Sequence, residues 1–121
     1  MESILLFQVK QDLVTQIKKL AAPKKIRVVV LEHNRAAGPL EDLLAGKNAG
    51  PLPAVEKIPP ESLMVFCHVS EKHFDRLLFE LRNKHIPVDY KAVLTPVNRH
   101  WSLPQLYAEL KRERMQMEKG Q

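Results

Sequence analysis

Glu2-Ser3-Ile4-Leu5-Leu6-Phe7 is answered 59 residues later by Glu61-Ser62-Leu63-Met64-Val65-Phe66, with the first, second and last residues identical and apolar residues facing apolar ones between. With one residue inserted, Val9 falls on Val69, Val14 on Phe74, Ile17 on Leu77, Lys24 on Lys84, Ile26 on Ile86 and Val28 on Val88. The match resumes where Asn34-Arg35 meets Asn98-Arg99 and Leu40-x-x-Leu43-Leu44 meets Leu103-x-x-Leu106-Tyr107. Equal patterns bury equal faces, so the chain reads as one unit written twice, over residues 2–45 and 61–118. Residues 46–60 between them hold two glycines and four prolines and read as a surface connector.

Each copy begins with an apolar run, Ile4 to Val9 and Leu63 to Val69, followed by apolar residues at helical spacing. Leu13, Ile17, Leu20 and Ala21 form one such face, ended by Pro23, and Phe74, Leu77, Leu78 and Leu81 form the other, with Ser70 placed as its cap. Ile26 to Leu31 and Val88 to Leu94 supply two more strands. A short helix is expected near Leu40 to Ala45, and Ser102-x-x-Gln105 is a capping box for a last helix over Leu103 to Met117.

The fold class is therefore α/β, with two βαβ(α) units forming one four-stranded sheet with helices packed on it. Two sheets fit this order: a small parallel one built by right-handed crossovers, or a ferredoxin-like one with a pseudo-twofold and antiparallel middle strands. Strands one and three are apolar at consecutive positions, so both their faces must be covered. Either the helices after strands two and four do this, or a partner subunit does.

At 121 residues the chain is expected to form a single domain over 1–121, since neither half alone buries much apolar surface. No apolar run approaches the roughly 18 residues of a membrane span, and no secretory signal opens the chain, so a cytoplasmic location is expected. Cys67, the only cysteine, cannot form an intramolecular disulfide. The formal charge of +5 is concentrated between Lys10 and Arg27, where five lysines and one arginine face only Asp12. Such a cluster attracts polyanions, although a solvated helix face has the same composition.

From about Glu61 to Lys111 the chain resembles a bacterial family catalogued as domain of unknown function number 3783. The resemblance rests on Leu63-Met64-Val65-Phe66-Cys67, the helix through Leu77 and Leu81, His85-Ile86-Pro87, and Lys91-Ala92-Val93-Leu94-Thr95-Pro96-Val97-Asn98-Arg99-His100-Trp101. It implies a cytoplasmic bacterial protein and carries no assigned activity or mechanism.

The best candidate for chemistry is the strand-to-helix loop Thr95, Asn98, Arg99, His100, Trp101 and Ser102, with Asn34 and Arg35 at the matching place in the first copy. Backbone N–H groups at a helix start beside Arg99 or His100 suit a phosphate or carboxylate. In a parallel sheet the two loops share the carboxyl end of the strands, whereas a pseudo-twofold separates them. The plain alternative is a turn and a cap, with Trp101 packed on the first helical turn. Lys91 interrupts an apolar strand and either reaches a ligand or guards an edge.

Other chemistries find less support. Cys67-His68 is opposed as a catalytic pair because adjacent strand residues point to opposite faces. His68, His73, His85 and His100 lack metal-ligand spacing, and the glycines at 38, 46, 50 and 120 form no phosphate loop, so no metal or cofactor is expected.

The leading expectation is a small non-catalytic binding module, taking a small anionic ligand at the strand-end loops or a protein partner, including a second copy of itself. The amphipathic last helix, with Leu103, Leu106, Tyr107 and Leu110 on one face, favours a partner. The alternative is nucleic-acid binding through Lys18, Lys19, Lys24, Lys25 and Arg27, and an enzyme with His100 as acid or base is a third reading.

Overall fold

Two strands in which every residue is buried, β1 (Ser3–Phe7) and β3 (Leu63–Cys67), lie side by side at the centre of a four-stranded sheet. The computed structural model describes residues 1–47, 50–52 and 58–119, so parts of the expected connector, 48–49 and 53–57, lie outside the described residues. Along the chain follow α1 (Gln11–Ala21), β2 (Arg27–Leu31), α2 (Leu40–Leu44), α3 (Glu71–Asn83), β4 (Tyr90–Val93) and α4 (Leu103–Lys119). The strand order is β2-β1-β3-β4. β1 and β2 run parallel, β3 and β4 run parallel, and the central β1/β3 pair is antiparallel with Ser3 opposite Cys67 and Phe7 opposite Leu63.

The mixed α/β class holds, but the sheet is neither of the two expected. The antiparallel centre excludes an all-parallel sheet. A ferredoxin-like sheet splits each βαβ unit by inserting another strand, whereas here each unit keeps its two strands adjacent. Both arrangements require the same alternation of apolar strands and amphipathic helices, so the pattern alone does not separate them.

Both faces of the central strands are covered from within the chain. Ile4, Leu6, Met64 and Phe66 point to one side, against Val14, Ile17 and Leu20 of α1 and Leu77 and Leu81 of α3. Leu5, Phe7, Leu63, Val65 and Cys67 point to the other, against Leu40, Leu43 and Leu44 of α2 and Leu103, Leu106 and Tyr107 of α4. The helices after strands two and four therefore do the covering, and the apolar face of α4 is spent on the core. Ser70 caps α3 by accepting the His73 N–H at 3.2 Å, and Ser102 accepts the Gln105 N–H at 3.3 Å at the start of α4.

This alternation corrects the alignment of the two halves. Phe7 and Phe66, matched by identity, lie on opposite faces of the sheet. The geometric correspondence is 60 residues rather than 59, pairing Ile4 with Met64, Leu6 with Phe66 and Phe7 with Cys67 by face. The left-handed residues agree: Gln8 (φ 59°) lies 60 before His68 (φ 55°), and Lys25 (φ 57°) 60 before His85 (φ 54°). A slip of one residue turns every strand side chain to the wrong face, so burial overrides the coincidence of two phenylalanines. The left-handed turns also end β1 and β3 at Phe7 and Cys67, two residues before the expected Val9 and Val69.

The start of β1 is latched to α3. The Glu2 carboxylate accepts the Ser70 N–H at 2.6 Å and lies 2.8 Å from His73 Nδ1. These bonds favour the charged form, the Ser70 N–H most, and hold the Glu2 carboxyl below its ordinary 4.5. A depressed carboxyl stabilises the fold above its unfolded value and loses that contribution as the pH falls through the folded one. Glu2→Gln should therefore lower Tm at neutral pH, and the gap from the parent protein should close on acidification, as measured by thermal unfolding across a pH series.

Candidate functional site

The two ends of the sheet are built alike and filled differently. At one end Phe7 stands opposite Leu63, and Tyr107, the fifth residue of α4, packs against both strands. At the other, Cys67 stands opposite Ser3, and Leu44, the fifth residue of α2, takes the helix position. Each of the three places carries a smaller side chain at the second end.

The first end is also closed by hydrogen bonds. The left-handed Gln8 aims Nε2 at Pro59 O (2.7 Å), Glu61 O (3.0 Å) and Tyr107 Oη (3.2 Å), and the Tyr107 hydroxyl donates to Glu61 O at 2.7 Å. The His33 ring packs at a 60° tilt against Phe7 and meets Gln8 Oε1 at 3.0 Å. Burial pushes the Tyr107 hydroxyl up, so it stays protonated as a donor.

At the second end His68 occupies the place of Gln8, is exposed, and leaves an open cleft of about 560 Å³. Its lining runs from the buried Ser3, Leu44 and Cys67 through the half-buried Glu41 and Leu94 to the exposed His68, Ala45, Thr95, Pro96 and Arg99 at its mouth. Arg99 donates from Nε to His100 Nε2 at 3.1 Å and lies 3.9 Å from Glu41, whose other oxygen is 3.3 Å from His100 Nδ1. The Arg99 side chain remains 51% exposed, so an incoming anion can reach it. A larger but shallow hollow of about 690 Å³ lies between the end of α1 and α3, where Lys24 and Glu80 already pair.

Cys67 and His68 share the cleft, against the expectation that they point apart. The strand ends at Cys67, and the left-handed His68 breaks its alternation. Burial pushes the Cys67 thiol up, the reverse of the depressed value that activates a nucleophile. Among the described residues no group of three or more His, Cys, Asp or Glu side chains could hold a metal ion, and no helix is long and apolar enough to cross a membrane.

Of the residues singled out from sequence, Thr95 and Arg99 line the cleft, and His100 stands at its mouth through Glu41. Asn34 and Arg35 follow β2, at the carboxyl end of β1, while Asn98 and Arg99 follow β4, at the opposite end of the sheet. The antiparallel centre thus rules out a joint site for the two Asn-Arg loops. Lys91, Asn98 and Trp101 line a separate groove of about 360 Å³ between β4 and α4, with the Lys91 ammonium 3.4 Å from Val88 O. Ser102 serves as the cap of α4.

The basic set is dispersed. Lys24 is paired to Glu80 at 2.5 Å with its side chain 11% exposed, and Arg27 donates to Leu44 O at 3.0 Å on the other face of the sheet. Lys18, Lys19 and Lys25 are left exposed.

Asn98 has a structural role. It is buried, its amide donates to Val93 O at 2.9 Å, and its oxygen accepts the Thr95 N–H at 2.7 Å. Tyr90 and Leu94 bond inward to β3, so the carbonyl of Val93 faces outward. The Asn98 amide pairs with this edge as a backbone peptide of a fifth strand would, and Thr95 Oγ1 completes the turn by accepting the Asn98 N–H at 3.1 Å. Asn98→Ala should cost about 1–3 kcal/mol in urea unfolding by leaving both backbone groups unpaired. Asn98→Asp should cost at least as much, because it replaces the donor to Val93 O with a second acceptor.

No curated protein and no solved structure matches the chain. Residues 62–117 match the family model described as "Domain of unknown function (DUF3783)", a stretch that runs from the start of β3 into α4 and contains Cys67, His68, Thr95 and Arg99 of the cleft. Over that stretch, which holds β3, α3, β4 and most of α4, the chain is similar to the DUF3783 family.

Proposed function

We propose that this protein is a small binding module that takes a small organic anion in the cleft at the carboxyl ends of β3 and β4. The observation that carries this reading is the contrast between the ends of the sheet. The end with Phe7, Leu63, Tyr107 and Gln8 is filled and hydrogen-bonded, while the end with Cys67, Ser3, Leu44 and His68 is open. Arg99 stands at the mouth to meet a carboxylate or phosphate, and Leu44, Ala45 and Leu94 offer apolar lining to the rest of the ligand. The raised Cys67 thiol favours binding over covalent chemistry.

Titration calorimetry and thermal shift against a panel of small organic carboxylates and phosphates test the reading. An anion that binds should shift the amide resonances of His68, Thr95 and Arg99. Arg99→Ala should weaken it about tenfold, the loss of one charge-assisted hydrogen bond of about 1.5 kcal/mol. Leu44→Tyr, which places at this end the side chain found at the other, should abolish binding while leaving the fold intact. A panel without a hit, or a hit indifferent to both substitutions, would defeat the proposal.

A further inference from the structure

The two edges of the sheet are finished differently. On β4 the outward carbonyl of Val93 and the N–H of Thr95 are taken by Asn98, and Lys91 stands exposed on the strand. A paired-off edge with a lysine on it discourages further strands. β2 has no such amide on its outward groups, and its one charged residue, Arg27, is turned over one face of the sheet to Leu44 O. Arg27 donates its N–H to Glu2 O, so alternate residues bond inward to β1, and the N–H and C=O groups of Val28 and Val30 face outward. Among the described residues no further strand pairs with them. The strand is Arg27-Val28-Val29-Val30-Leu31, aliphatic after its first residue, with Val30 42% exposed.

We propose that the outer edge of β2 is a dimer interface, at which two copies of this chain pair β2 with β2 antiparallel about a twofold axis through Val29. What satisfies an outward row of peptide groups is another strand, and the second copy offers the same row. The register follows from the groups available. Placing Val28 opposite Val30 of the second copy uses all the outward groups of both residues, and it sets the two Val29 residues face to face on the axis as a non-hydrogen-bonded pair. Charge selects the antiparallel sense. Lys25 precedes β2 and Glu32 follows its end, so antiparallel pairing brings Glu32 of each copy to the end of the strand where Lys25 of the other lies. Parallel pairing would set like against like. A twofold axis perpendicular to the sheet keeps α1 and α3 of both copies on one face and α2 and α4 on the other, extending four strands to eight without a break in either helical layer.

Analytical ultracentrifugation over a concentration series, on the full chain, should show a monomer–dimer equilibrium. Val30→Lys should abolish the dimer at concentrations where the parent protein is dimeric, with an unchanged circular dichroism spectrum, because two lysines would meet diagonally across the axis. Val29→Cys should join the two copies through a disulfide at that position under mild oxidation, identified by peptide mass spectrometry, since non-hydrogen-bonded antiparallel pairs bring Cα atoms to about 4.5 Å. In the parent dimer the amides of Val28 and Val30 should exchange more slowly as protein concentration rises. A chain that stays monomeric at millimolar concentration overturns the proposal. So does a dimer that survives Val30→Lys, or one in which the Val29→Cys variant fails to cross-link.

Discussion

The antiparallel contact between β1 and β3 is the constraint on which the rest of this structure depends. Both strands bury all five of their residues, so every side chain is committed to one of two helical layers. A shift of one residue in their register would turn one strand over against the other, setting either Phe7 against α1 and α3 or Phe66 against α2 and α4. The polar consequences follow from the same contact. With Ser3 fixed opposite Cys67, Glu2 is carried to the start of α3, where it meets Ser70 and His73. With Phe7 fixed opposite Leu63, Gln8 is carried to the end of the connector, where it meets Pro59 and Glu61.

An antiparallel pair of like units makes two ends that start out equivalent, and their difference is where function can enter. At the Gln8 end, an amide that both donates and accepts draws Tyr107, His33 and the connector into one network. A partly buried network of this kind is stabilising only when its members are satisfied. At the His68 end the chain has no such need, because the smaller Ser3, Cys67 and Leu44 leave an open cleft. The cleft thus comes from three subtractions as much as from Thr95 and Arg99.

The helices were legible in the sequence because capping residues and apolar spacing act locally: Ser70 and Ser102 stand where the helix starts require them. Two-sided burial of β1 and β3 was legible from their unbroken apolar runs. The strand order was not, since the same runs serve several sheets and only long-range pairing separates these. The cleft was not legible either. The identity of Phe7 and Phe66 suggested a spacing of 59, and in that alignment Cys67 never falls opposite Phe7, so the exchange of large for small side chains stays hidden. Asn98 was open to two readings for another reason: an amide that completes a strand edge and one that holds a ligand are the same letter, and only the outward Val93 carbonyl tells them apart.

The treatment of the edges connects these observations. Polar loop residues after β4 are drawn inward to its edge, which leaves Arg99, beside Asn98, to carry the charge at the cleft mouth. After β2 the corresponding residues do something else: His33 turns back to Gln8, and no further strand among the described residues covers Val28 or Val30. One loop therefore closes an edge while an open cleft lies beside it, and the other helps close a cleft while an open edge lies beside it. The two units divide the tasks that a single βαβ unit would have to combine, and that division keeps the cleft proposed for a small anion and the outer strand proposed for a second copy on separate surfaces.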